Sequence, residues 1–211
     1  MIFNKPLNAI FGQKTKIDIL RHLTLYKKEA ATRELAREIG IAAPNILKLL
    51  KELEAQNILI SKKIGNSISY SLNHSNFLVK KIILPSFNYE NNLLKELGLY
   101  LAARLKMPVV SIILFGSRAR SEEGARSDID LAFIVRGGDE DKCEKKLMAI
   151  NPEISAYFGS SISPIIYSTT KFSTQAKNKD SLAKNIIKEG RVIYGKYISD
   201  IIYENKNKRR S

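Results

Sequence analysis

The sequence predicts an α+β protein of two modules, and three observations carry that prediction. Residues 15–57 place apolar side chains at helical spacing, and from Ile58 the period switches from 3.6 to 2 around Gly65-Asn66. Farther on, two apolar runs of strand length flank the stretch LFGSRARSEEGARSDIDLAFIV, Leu114 to Val135. Between these regions there is no Gly/Ser-rich linker; Leu93, Leu94, Leu97, Leu101 and Leu105 instead mark an amphipathic helix. The expected division is a first module over 1–75, connecting helices over 76–107, a second module over 108–196, and a C-terminal helix with a basic tail over 197–211.

Composition narrows the partners. The 211 residues carry a formal charge of +14, a surplus that favours polyanions such as nucleic acid or nucleotides. It is shared: residues 1–80 hold 13 Lys and Arg against 6 Asp and Glu, and the rest hold 22 against 15. Cys143 is the single cysteine, so no intrachain disulfide forms and a reducing compartment fits. No apolar run reaches the roughly 20 residues of a membrane span, and the N-terminus lacks a secretion signature. A cytoplasmic protein is expected, with no membrane partner. His22 and His74 are isolated and read as structural.

In the first module, Ile17, Leu20, Leu23 and Leu25 lie on one helical face. A second helix follows with Thr32 as its expected N-cap and Gly40 at its stop. The third starts after Ala42 and Ala43, tolerates Pro44 in its first turn, and buries Ile46, Leu49, Leu50 and Leu53. Its outer side offers Asn45, Lys48 and Lys51. The Gly65-Asn66 pair suits a tight hairpin, with Lys62 and Lys63 beside the turn. Three helices and a basic hairpin make a winged helix-turn-helix, and residues 8–75 resemble the ArsR/MarR-type DNA-binding modules. That resemblance implies DNA as partner, with Asn45, Lys48 and Lys51 in the major groove and Lys62, Lys63 and Asn66 at phosphates. A small helical module that binds another protein is the competing reading. Pro85 is expected to break the segment before the connecting helix, and Pro108 to end that helix.

In the second module, PVVSIILF reads as a buried central strand that runs into Gly116 and Ser117, after which RARSEE has the look of a helix start. A strand passing through Gly into a helix aims backbone N–H groups and a hydroxyl at one point, an arrangement suited to phosphate, with Arg118 and Arg120 adding charge. In SDIDLAFIV, alternation sets Asp128, Asp130, Ala132 and Ile134 on one face and Ile129, Leu131, Phe133 and Val135 on the other. Two neighbouring carboxylates repel unless a cation joins them, and Mg²⁺ prefers such oxygen ligands. Alternatively, both aspartates cap a turn and pair with Arg118, Arg120 or Arg126.

Gly-Ser followed eleven and thirteen residues later by two aspartates resembles the nucleotidyltransferase superfamily that includes polymerase β, especially its small bacterial and archaeal members, over about residues 90–195. The resemblance implies a mixed sheet with flanking helices. It assigns Gly116 and Ser117 to a nucleoside triphosphate, beside which the charges of Arg118 and Arg120 are expected to bind nucleotide, and Asp128 and Asp130 to catalysis through Mg²⁺. It also implies a third carboxylate on a later strand. The expected strand, SISPIIYS, contains no acid; Ser163 takes the expected position, and no Asp or Glu lies between Glu153 and Asp180. Either Glu153 reaches in, or substrate or water acts instead, or transfer is lost. The reading leans to a DNA-binding nucleotidyltransferase; the alternative is a transcriptional regulator whose second module senses nucleotide or dimerises. In the tail, Tyr197, Ile198, Ile201 and Ile202 form a stripe that could pair a homodimer, ahead of Lys206, Lys208, Arg209 and Arg210.

Overall fold

The computed structural model describes residues 5–119, 128–176 and 182–207, without the side chains of 205–207. The chain divides into two compact units, residues 1–93 and 94–211.

The first unit runs α1 (Pro6–Phe11), α2 (Lys14–Leu25), β1 (Glu29–Ala31), α3 (Thr32–Ile39), α4 (Ala43–Ala55), β2 (Leu59–Ile64) and β3 (Ser67–Leu72). Its core gathers Ile19, Leu20 and Leu23 of α2, Leu35 of α3, and Ile46, Leu49, Leu50 and Leu53 of α4. Burying side chains of this size contributes about 1.5–3 kcal/mol each. β2 and β3 form an antiparallel hairpin whose turn is Gly65-Asn66, with Ile64 opposite Ser67. β1 adds itself to β3, Ala30 opposite Tyr70, and so ties the hairpin to the start of α3. These three helices and the wing are the winged helix-turn-helix expected from sequence.

Two local expectations change. Thr32 is the first helical residue of α3; the N-cap is Ala31, whose extended backbone closes β1 and makes no side-chain cap. Pro85 breaks nothing: a π-helical turn, Val79–Ile83, leads directly into α5 (Leu84–Leu105). The wider turn accommodates a residue that lacks an N–H and crowds the carbonyl four residues back. Pro85 therefore lies in the first turn of α5, whose span crosses the boundary between the units.

The second unit contains the end of α5, then β4 (Ser111–Leu114), β5 (Ile129–Val135), α6 (Glu140–Phe158), β6 (Ile162–Ser168), α7 (Thr169–Gln175), α8 (Leu182–Glu189), β7 (Arg191–Gly195) and α9 (Ile198–Asn207). The sheet order is β6-β5-β4-β7, with β5 and β6 parallel and the other pairs antiparallel. This is a mixed sheet with helices on both faces. Ile129, Leu131, Phe133 and Val135 pack with Leu97, Leu101 and Leu105 of α5 and with Cys143, Leu147 and Ile154 of α6. Ala132 and Ile134, on the other face, pack with Phe172, Ala183, Ile186 and Ile201. The alternation along β5 thus serves two cores at once. Contact between α5 and β7 is close enough that a Cβ on Gly98 would lie 2.3 Å from the Ile193 carbonyl oxygen.

Some stripe residues depart from expectation. Leu93 is 57% exposed, whereas Leu97, Leu101 and Leu105 are buried. Ile201 is buried among the helices under the sheet, with Ile198 packed beside it, so half of the tail's apolar stripe is engaged within its own unit, while Tyr197 is exposed. Burial pushes the Cys143 thiol up to about 11, which makes it an inert core residue.

Candidate functional site

The end of β4 and the start of β5, the two central strands, meet at one end of the mixed sheet. Leu114 pairs with Leu131, and the Phe115 N–H donates to the Asp130 carbonyl at 3.0 Å. The chain then turns at Gly116, where φ is 75°. A Cβ there would fall 2.3 Å from Asp130 Oδ2, so the carboxylate packs directly against the bare backbone of Gly116. Glycine is needed twice at this position, for the left-handed backbone and for the space that Asp130 occupies. The structure brings together the Gly-Ser and Asp-x-Asp motifs.

Ser117 and Arg118 follow in a half-buried turn, Ser117 to Ala119, rather than in helix. Arg118 Nη2 donates to Ser160 Oγ at 3.0 Å and so joins this turn to the loop before β6. Arg120 lies outside the described residues, as does Arg126. Asp128 is exposed and Asp130 half-buried. A hard oxygen donor packed on a glycine cradle, with a second carboxylate two residues away in sequence, is a donor set of the kind that suits a small divalent cation, which keeps its remaining positions for water or phosphate. Among the described residues no group of three His, Cys, Asp or Glu side chains is placed to hold a metal.

β6 lies beside these acids. Asp130 is in register with Ser163 across the parallel β5–β6 pair, and Ser163 is exposed. Glu153 does not reach in: it accepts from the Tyr100 hydroxyl and pairs with Arg104. Its helix, α6, packs against the sheet face formed by Ile129, Leu131, Phe133 and Val135, opposite the face to which Asp130 belongs. The Glu153 alternative is therefore set aside by layer geometry.

The first unit presents a separate polar face. Asn45, Lys48 and Lys51, three residues apart, are exposed on the side of α4 opposite Ile46, Leu50 and Leu53. Lys62, Lys63 and Asn66 are exposed on the wing. Lys62 and Lys63 point to opposite faces of the ribbon, since Lys62 lies across from Ser69 and Lys63 from Ile68. A cleft of about 530 Å³ lies between α4, the wing tip and the start of α3, lined by Arg33, Leu47 and Asn66 among others. Arg33 was not singled out from sequence, because its position depends on the three-residue β1, which has no periodicity to read. Other cations serve the fold. Lys16 binds the Ala9 carbonyl and Glu52, and Arg21 clasps Glu90 through Nε at 2.5 Å and Nη2 at 3.0 Å.

Comparison with known proteins adds the following. Residues 101–198 match the family model described as polymerase beta, nucleotidyltransferase. A relative from Methanocaldococcus jannaschii, described as a protein adenylyltransferase, is 33% identical over 78 residues, which span 37% of this chain and 79% of the relative. Among solved structures, reduced HlyU from Vibrio cholerae aligns at 16% identity with a TM-score of 0.35, over 42% of this chain and 83% of HlyU. A toxin–antitoxin chain crystallised with AMP-PNP aligns at 15% identity with a TM-score of 0.35, over 57% of this chain and 86% of that one. Both structural alignments are partial and weak.

Proposed function

Because this chain belongs to the polymerase β nucleotidyltransferase family, we propose that its second unit binds a nucleoside triphosphate with Mg²⁺ and transfers the nucleoside monophosphate to an acceptor, while its first unit binds DNA. The observation that carries the reading is the packing of the Asp130 carboxylate on Gly116, which joins the Gly-Ser turn to the Asp-x-Asp motif. Gly116 and Ser117 would approach the phosphates through backbone N–H and hydroxyl, with Arg118 and Arg120 adding charge. Asp128 and Asp130 would hold Mg²⁺, which when bound neutralises phosphate oxygens and steadies the leaving group. An acceptor oxygen attacks the α-phosphorus and pyrophosphate departs. The relative's description as a protein adenylyltransferase supports ATP as donor and a protein hydroxyl as acceptor.

Label from an α-phosphate-labelled nucleotide should appear on an acceptor in cell extract and vanish when Asp128→Ala is combined with Asp130→Ala. Intact nucleotide binding with no labelled acceptor for any of the common nucleotides would rule out transfer.

A second reading has its own observation. Ser163, not an acid, stands in register with Asp130, and Glu153 is engaged elsewhere. Absence of a general base typically costs about 10²–10⁴-fold in rate. On this reading the chain is a transcriptional regulator whose second unit senses nucleotide without turning it over. It requires sequence-specific DNA binding; contact that is salt-sensitive but blind to sequence would exclude it.

A further inference from the structure

We propose that Ser163 is itself an acceptor, so that the chain transfers a nucleoside monophosphate onto its own β6 strand. This inference rests on the nucleotide reading of Gly116, Ser117, Asp128 and Asp130, and deepens it by naming an acceptor.

Three observations lead there. Ser163 is in register with Asp130 on the adjacent parallel strand, so the two side chains leave the same face of the sheet. Neighbouring strands are about 4.8 Å apart, which puts the hydroxyl beside the carboxylate. The side chain is exposed, so the oxygen can reach a bound ligand. Nearby hydroxyls are less suited. Ser160 Oγ already accepts from Arg118, and Ser161 is half-buried, its carbonyl accepting the Ile129 N–H at 2.9 Å.

The step balances without any further reactant. Ser163 Oγ forms a bond to the α-phosphorus, and the bond from that phosphorus to the oxygen bridging to the β-phosphate breaks. Pyrophosphate leaves with the electron pair, and the hydroxyl proton passes to water. The product is a serine-linked phosphodiester. A tethered nucleophile reacts with an effective concentration that reaches about 10⁵–10⁸ M in well-aligned cases. Even a small part of that advantage offsets the about 10²–10⁴-fold cost of lacking a general base. Self-transfer is therefore the reaction that best tolerates an acceptor strand without an acid.

The test uses the full chain, Mg²⁺ and ATP, followed by intact-mass measurement and peptide mapping, with binding of α,β-methylene-ATP, whose α–β bridge cannot be cleaved in this step, followed by calorimetry. One adenylyl group per chain on Ser163 is expected, at a first-order rate unchanged over a tenfold range of protein concentration. Ser163→Ala should lower the adduct at least tenfold while analogue binding and the melting temperature stay unchanged, and Ser163→Thr should retain it. An adduct on Ser161 or elsewhere, an adduct that survives Ser163→Ala, or analogue binding without any adduct each overturns self-transfer and leaves the nucleotide site standing. Failure to bind the analogue overturns both.

Discussion

Two single positions, Gly116 and Ser163, test the proposed site at the acidic end of the sheet. Gly116→Ala would drive a Cβ into the Asp130 carboxylate and strain a left-handed backbone. The expected result is a loss of about 1–3 kcal/mol in stability together with at least tenfold weaker nucleotide binding, checked by denaturant titration and calorimetry. Ser163→Asp would place a carboxylate beside Asp130, in the position where the resemblance calls for a third acid. Transfer to an external acceptor should rise at least tenfold in a labelled-nucleotide assay, and a rate unchanged from wild type would mean that a missing base does not limit transfer. The meeting of the Gly-Ser and Asp-x-Asp motifs, seen where Asp130 packs on Gly116, was legible because their residue types and spacing carry chemistry. The role of Glu153 was not: its distance in sequence from β6 is short, but its helix lies on the opposite face of the sheet, a fact of layering rather than of pattern.

Helices and strands with a strong period were also legible. α4 buries the four residues its periodicity marks, and the hairpin turns at Gly65-Asn66. Short or irregular elements escaped: β1 has three residues, and the π-helical turn before Pro85 has no composition of its own. If α4 and the wing meet phosphate, replacing Lys48 or Lys51 by Ala should lower the slope of log affinity against log salt by about 0.9 each. Filter binding across a salt series measures this, and an unchanged slope removes that lysine from the interface. The fold of the first unit has a pH-sensitive clasp. Arg21, through its hydrogen bond to Glu90, holds that carboxyl below the usual carboxylate range. Its contribution is thus fully present above the ordinary carboxylate pKa and is lost as pH falls through the depressed value. Being partly exposed, the pair contributes about 0.2–1 kcal/mol. Glu90→Gln should lower the melting temperature at pH 7 and converge on wild type near pH 2.

At the scale of the whole chain, the +14 charge is shared almost evenly between a winged helix-turn-helix and a nucleotidyltransferase unit. No helix among the described residues is long and apolar enough to cross a membrane. The order of modules was readable because each has its own periodicity. The boundary was less so, since it falls at Leu93–Leu94 inside a continuous helix rather than in a linker. The two proposed activities invite a linkage measurement. If the chain is a nucleotide-responsive regulator, saturating Mg-ATP should change operator affinity by about 5–150-fold, and DNA should change nucleotide affinity by the same factor. A transferase whose DNA contact merely localises it requires no such factor, and titrations of each ligand with and without the other separate the two.

The contact between Gly116 and Asp130 has a bearing on how related chains are to be compared. That glycine is demanded by backbone shape and by a neighbouring side chain, so a descendant that had lost all chemistry would still be under pressure to keep it. Its presence diagnoses the fold. Asp128 and Ser163, being exposed, are asked for by nothing in the packing. They are free to drift when unused, and it is their persistence or replacement across relatives that records whether the site still works.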